Sequence, residues 1–359
     1  MVVRLVPRSP RGADQESRLT PSERLGVNKA VAPAPRIVDE ELARLDAELL
    51  AHNLEGHWNL GAAVVEAEPT PWAEPYLWRW ADVRRLLWSA GEMRGIEGGA
   101  SRRTVRLCTP GNKIKWTTPT IHASVQLVKP GEVAEAHRHS MGAFRFVIEG
   151  EGGYTTVDGE RMRMAPGDLI LTPGWSWHDH GHDDGRPTIW IDVHDYPFTG
   201  GLNSLFFEPY KQRTQAVAVA ASAAGLRPPH VFSSGDCLRS LNTSSVVDAA
   251  LGRTFDYLNP ALDGTTLPTM NCRLHGLASG QPLTAHRTTA NRIYHVISGR
   301  GKTLAGQKTL TWQAGDIFVV PGWTWHRHLA EQDAVLFCVS DEPIFRHAGL
   351  LRREEKPNL

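Results

Sequence analysis

Three histidines and one missing acid define the chemistry open to this chain. In AHRHSMGAFRFVIEG (residues 136–150), His137 and His139 stand two apart. On a strand, that spacing turns both imidazoles to one face, where they can share an ion. PGDLILTPGWSWHDH (166–180) supplies His178 from a later strand as a third imidazole. Neutral imidazole suits iron, zinc, copper or nickel better than magnesium or calcium. An acidic residue is expected a few positions after the pair, but Ala143, Phe144 and Arg145 stand there. An isolated His-x-His is more often a core or solvated pair than a site. Here Gly131 ahead of the pair, the Pro-Gly-Asp turn at 166–168 and the third histidine at matching spacing favour a metal site.

The elements that must position these groups are short strands. ASVQLV (123–128), FRFVIEG (144–150), GGYTTV (152–157), DLILT (168–172) and TIWIDV (188–193) are rich in β-formers and bounded by Gly and Pro. VDEELARLDAELLAHN (38–53) has helical spacing. KQRTQAVAVAASAAGL (211–226) reads as a helix or a linker. The chain also repeats itself. PGDLILTPGWSWHDH aligns with AGDIFVVPGWTWHRH (314–328), and GEVAEAHRHS (131–140) with GQPLTAHRTT (280–289). Collinear blocks 148–149 residues apart imply two copies of one β-rich domain. In the second copy His286 and His326 match the first and third histidines, while Thr288 replaces the second. His295 falls where Phe146 stands in the first copy. Two histidines bind metal weakly, so that copy is expected to be a metal-free barrel.

Bulk properties narrow the classes. The 359 residues carry 39 basic and 39 acidic side chains, giving no electrostatic case for nucleic acid or a membrane surface. No apolar run approaches the ~18 residues of a membrane-spanning helix. The N-terminus MVVRLVPRSPRGADQ lacks the apolar core of a signal peptide. Cys108, Cys237, Cys272 and Cys338 are scattered, as in a protein of the reducing cytoplasm.

The paired blocks resemble the motifs of the cupin superfamily, and their duplication resembles a bicupin. HRHS…RFVIEGEG…PGDLILTPGWSWHDHGH is similar, more narrowly, to the gentisate 1,2-dioxygenase family, which includes salicylate and 1-hydroxy-2-naphthoate dioxygenases. The likeness runs from about residue 75 to 345. It implies an all-β bicupin of two double-stranded β-helix (jelly-roll) barrels with a short N-terminal helical segment. It also implies one Fe(II) per chain, held by His137, His139 and His178, a small aromatic hydroxy-acid substrate, O2, and a homotetramer. The expected organisation is an arm over 1–36, a helical segment over 37–95, the metal-binding barrel over 96–210, a linker over 211–230 and the second barrel over 231–359. Three neutral ligands leave Fe(II) at +2, whereas a carboxylate ligand would reduce that to +1. The absent acid thus suits an anionic chelate such as a salicylate carboxylate with its adjacent phenolate.

The resemblance assigns further residues. Arg145 presents a planar fork for a substrate carboxylate, and Arg102 matches a second substrate-contacting arginine. A neighbouring position that often carries a basic residue is Gly98 here. His180 matches a histidine that bonds substrate or oxygen and can act as an acid–base group. Gln126 and Asp192 match pocket or supporting positions, with Asp192 able to orient a ligand imidazole or an arginine. His122 and Ser124 depart from an aromatic and a small residue, so a substituted salicylate, such as a nitro or amino derivative, or a fused ring is a candidate. His182 and His194 read as structural or surface groups. Trp175, Trp177, Trp323 and Trp325 occur in both copies and read as barrel packing. Oxygen uptake separates the dioxygenase that the resemblance implies from a cupin isomerase, a decarboxylase or a non-enzymatic acid-binding bicupin.

Overall fold

The computed structural model describes residues 39–64, 66–96, 103–111, 115–217 and 230–357. Arg102, Gly98, the arm over 1–36 and most of the linker therefore lie outside the described residues. Two units are distinguished, divided between Glu68 and Pro69. In the first, α1 (Asp39–Ala51) is the helix expected from its spacing, followed by a 3-10 turn over His57–Val64. Asp46 on α1 accepts hydrogen bonds from the side chains of Trp58 and Asn59 (3.1 and 3.0 Å), joining the two elements.

The second unit holds both copies. It begins with β1 (Tyr76–Trp78), α2 (Trp80–Met93) and β2 (Thr104–Arg106). The first copy proper follows as β3 (His122–Val128), β4 (Val133–His139), β5 (Ala143–Glu149), β6 (Gly153–Val157), β7 (Glu160–Arg163), β8 (Leu169–Thr172), β9 (His178–His182) and β10 (Thr188–His194). After α3 (Tyr196–Gly201) come β11 (Phe207–Pro209), β12 (Val231–Phe232) and α4 (Ser234–Thr243). The second copy runs through β13 (Val247–Asp248), β14 (Gly252–Asp256), β15 (Asn271–Leu277), β16 (Ala285–Thr288), β17 (Arg292–Ala305), β18 (Lys308–Gln313), β19 (Ile317–Val320) and β20 (His326–Ser340). It closes with α5 (Glu342–His347) and β21 (Arg353–Lys356).

The first copy is two facing antiparallel sheets, ordered β12-β8-β5-β10-β3-β2 and β11-β4-β9-β6-β7. Val128, Val147, Ile170 and Trp190 of one sheet pack against Ala134, Val157 and Met162 of the other, filling one end of the jelly roll. The larger sheet is buried on both faces. Its outward residues, including Val125, Leu127, Phe144 and Phe146, form one core with Cys272, Leu274, Val319 and Phe337 of the second copy. Phe146 stacks on Phe337 at 4.2 Å. The strand HASVQLV shows the consequence of period-two alternation. Ala123, Val125 and Leu127 enter the core between copies, while His122, Ser124 and Gln126 enter the jelly roll. A polar interior is the reverse of ordinary burial and marks the part of the fold kept for chemistry.

The copies also exchange parts. β1, which precedes the first copy, pairs with β19 of the second; β12, which precedes the second, pairs with β8 of the first. The segment 37–95 is therefore not wholly helical, because Tyr76–Trp78 is a sheet strand. Past β10, Asp195 accepts from the Thr269 hydroxyl of the other copy (2.6 Å) and from the Gly142 amide (3.0 Å). Past β20, Asp341 accepts from the Thr120 hydroxyl of the first copy and from the amide and side chain of Asn291 (2.7 Å each). The expected linker is partly docked. Gln215 is buried, accepts from the Gly159 amide (3.0 Å) and donates to the Thr156 carbonyl (3.0 Å).

Candidate metal centre and active site

His137 and His139 lie at the end of β4 and His178 at the start of β9, with His137 and His178 in register across the two strands. One ring nitrogen from each lies within 4.8 Å of the others; among the described residues this is the only such group of three. Local chain geometry fixes the rings. Each Nδ1 lies against a backbone carbonyl two residues away: Glu135 at 2.7 Å, Met141 at 2.8 Å and Ser176 at 2.9 Å. A carbonyl only accepts, so each Nδ1 carries the proton and each Nε2 is left as a lone-pair acceptor. Burial, reinforced by neighbouring imidazoles, holds His139 down to about 3 and His178 well below the usual imidazole range. His178 is fully buried and its Nε2 has no hydrogen-bond partner. Lone pairs facing one another cannot satisfy each other, but a metal cation can satisfy all three, so the donor set fits the implied metal.

The repeated Pro-Gly-Trp turn braces this strand. The Trp175 amide donates to the His139 carbonyl (2.7 Å), and in the second copy Trp323 does the same to Thr288 (2.6 Å). Both tryptophans adopt positive φ, +68° and +61°. A Cβ on Gly174 would stand 2.4 Å from the Ser140 carbonyl oxygen, so glycine is required there. The two copies differ here: Trp323 is buried, as barrel packing expects, whereas its counterpart Trp175 is not. Trp175 is 45% exposed, and Arg138 lies over Trp175 and Trp177 at 5.6 and 4.6 Å. Arg287 covers Trp323 and Trp325 in the same way. The shared motif is a cation–π clasp made by the arginine of the histidine strand.

A cavity of ≈ 470 Å³ opens beside the triad, walled by His137 and His139 from the smaller sheet and by His122, Ser124, Gln126 and Asp192 from the larger one. Four sequence-derived pocket residues thus meet two of the histidines in one space. Gln126 is fully buried and neither side-chain polar atom has a partner. Arg145 lies deeper, fully buried, outside the cavity wall. Its Nη1 donates to the Thr172 hydroxyl (2.5 Å), Nη2 lies 3.9 Å from Asp192, and Nε has no partner. Burial pulls its pKa down, and Asp192 opposes that. Unsatisfied buried donors cost about 1–3 kcal/mol each, a cost that ligand binding can offset. Asp192 stands between Arg145 and His194 (3.6 Å). Of its two expected tasks, orienting the arginine fits better, because backbone carbonyls already hold the triad rings. His180 is fully buried, bonded through Nδ1 to the Thr155 hydroxyl (2.9 Å), with its ring 5.5 Å from that of His178.

Several cavity residues were not anticipated. His194 lines it, 6.1 Å from His139 between ring centres, rather than serving only as a surface group. Its position two past Asp192 carries that signal. Arg106 and Thr104 face the cavity because they pair with Ser124 and Gln126. Trp116, Tyr196 and Phe207 arrive from a loop, the start of the short helix α3 and a short edge strand, where no periodicity announces them. In the second copy, the Tyr294 hydroxyl lies 3.5 Å from His326 Nε2, in register terms at the place of Arg145. His295 turns away into the core between copies, 5.6 Å from Phe146.

Residues 124–194 and 273–340 each match the family model described as Cupin domain. A 5-aminosalicylate 1,2-dioxygenase from Comamonas sp is 36% identical over 344 residues, 89% of this chain and 92% of that protein. A gentisate 1,2 dioxygenase from Aquipseudomonas alcaligenes is 34% identical, over 88% of this chain and 96% of that one. A solved salicylate 1,2-dioxygenase variant from Pseudoaminobacter salicylatoxidans, in complex with gentisate, matches with a TM-score of 0.84 at 29% identity. It covers 91% of this chain and 98% of that one. Fold and site together define a bicupin with a metal centre. The chain belongs to the gentisate and salicylate 1,2-dioxygenase family, and is a ring-cleaving 1,2-dioxygenase.

Proposed function

We propose that the chain opens the ring of a gentisate- or salicylate-type acid with O2, between the carboxyl-bearing and hydroxyl-bearing carbons. Fe(II) is held by His137, His139 and His178. The observation that carries the reading is the triad of neutral imidazole acceptors, without a carboxylate, beside a cavity with a buried guanidinium behind it. The iron supplies the electron transfer that lets dioxygen react with the ring. The chain's own residues do the rest. Arg145, held by Thr172 and Asp192 behind the cavity wall, supplies the positive charge toward which the substrate carboxylate is drawn. Arg102 adds a second positive group. Gln126 donates to and accepts from the bound acid, and Ser124 leaves room for its ring. His180, poised by Thr155, moves a proton at the substrate hydroxyl or the oxygen. Burial keeps water away from Arg145, Gln126 and His180 and strengthens their contacts.

On the same reading, the enzyme is a cytoplasmic homotetramer with a metal-free second barrel. Light scattering and metal content per chain test those two points. The reaction is tested by oxygen uptake from the Fe(II)-loaded protein with gentisate, salicylate, 5-nitrosalicylate and 1-hydroxy-2-naphthoate in parallel. Uptake with one of them, lost in His139→Ala, is expected; no uptake with any at confirmed iron content overturns the proposal.

A further inference from the structure

We propose that His122 and Arg106 form a substituent-selecting subsite, specific for ring groups that accept hydrogen bonds, such as nitro, carboxylate or sulfonate. The inference deepens the proposed function and rests on it. The cavity has two walls. The histidine pair belongs to the smaller sheet, whereas His122 on β3 and Arg106 on β2 belong to the sheet opposite. An acid whose carboxylate and hydroxyl lie against the triad carries its remaining ring positions into the rest of that cavity, where these two residues stand.

The tautomer of His122 is fixed by its surroundings. The backbone N–H of Thr117 donates to His122 Nδ1 (3.2 Å), and an amide N–H can only donate. Nδ1 is therefore the bare nitrogen and Nε2 carries the proton. Burial, with smaller contributions from His194 and Arg106, lowers the ring's pKa to about 3, so it stays neutral. Trp116 packs edge-on against the ring at 5.0 Å, which fixes its direction. The result is a rigid donor, 6% exposed, whose Nε2 has no partner. A buried unsatisfied donor is unfavourable, and a ligand acceptor relieves it. Arg106, in register with Ser124 and 5.7 Å over the Trp116 ring, adds positive charge to the same wall.

Together these groups discriminate by polarity. Nitro, carboxylate and sulfonate oxygens accept from both. A bare ring C–H offers nothing, and an aromatic amine delocalises its lone pair into the ring and accepts poorly. The chain should therefore favour a different substituent from the amino group in the name of its Comamonas relative.

The test is the kcat/KM of the Fe(II)-loaded enzyme for 5-nitrosalicylate and 5-aminosalicylate, each relative to salicylate. The wild type should favour the nitro acid and not the amino acid. In His122→Phe the nitrosalicylate-to-salicylate ratio should fall about tenfold, the worth of one buried hydrogen bond. His122→Gln, which keeps a donor, should retain most of it. Because Arg106 is exposed, Arg106→Leu does not threaten the fold, and it should lower the ratio about threefold. Oxygen uptake with unaltered ratios in all three variants overturns the subsite alone. No uptake by the wild type with any acid overturns the dioxygenase reading and the subsite with it.

Discussion

Asp341 gives the account a quantitative test of how the two copies are joined. Its carboxylate is fully buried, and burial raises its pKa from the ordinary 3.8 to about 6, although donors from Asn291 and Thr120 oppose the rise. That change is worth about 3 kcal/mol, at about 1.4 kcal/mol per tenfold in proton affinity. The sign follows from proton counting. Between about pH 4 and 6 the unfolded chain has released this proton and the folded chain still holds it, so stability falls as pH rises through that window. Asp341→Asn removes the titration. Reversible urea unfolding of both proteins across that range cancels every other group in the difference. The variant loses the most at low pH, relative to wild type, and the gap should close by about 2 kcal/mol between about pH 4 and pH 6.5. A gap that does not change with pH refutes the assignment of a buried, proton-retaining carboxyl to this joint.

Other consequences are direct. Gly174→Ala forces a Cβ onto the Ser140 carbonyl and loosens the Trp175–His139 brace, so metal affinity should fall at least about tenfold, as read by chelator competition. Gln215→Ala leaves the Asp179 carboxylate, the Gly159 amide and the Thr156 carbonyl short of a partner; denaturant unfolding should show a loss of about 2 kcal/mol. Arg145→Lys keeps the charge but loses the fork, and kcat/KM for the acid should fall about 10- to 100-fold. Removing metal by chelation should abolish oxygen uptake, with Fe(II) restoring it; restoration by zinc would contradict an iron centre.

What could be read from the sequence was what short range encodes. His137 and His139 share a face by period two, and the Pro-Gly-Trp turn recurs because both copies use it to tie down the same strand end. The polar faces of HASVQLV and TIWIDVH were likewise legible, since alternation separates Ser124 and Asp192 from the apolar residues beside them. Period two also placed His194 beside Asp192, although it was read as peripheral. Longer-range features were not legible. That Tyr76–Trp78 would pair with Ile317–Val319 depends on contacts some 240 residues apart, which no local pattern carries. Trp116 and Phe207 reach the cavity from irregular segments. Trp175 misled because the two copies differ: its counterpart Trp323 is buried beneath Arg287 and Arg352, whereas Trp175 is 45% exposed.

The most direct measurement is mass analysis of the product formed from salicylate-type acids by the Fe(II)-loaded enzyme under isotopically heavy dioxygen. The account predicts a ring-opened dicarboxylate carrying both heavy oxygen atoms, formed by the wild type and absent with His139→Ala. A product that keeps its ring, or one that has lost carbon dioxide without gaining heavy oxygen, would contradict it.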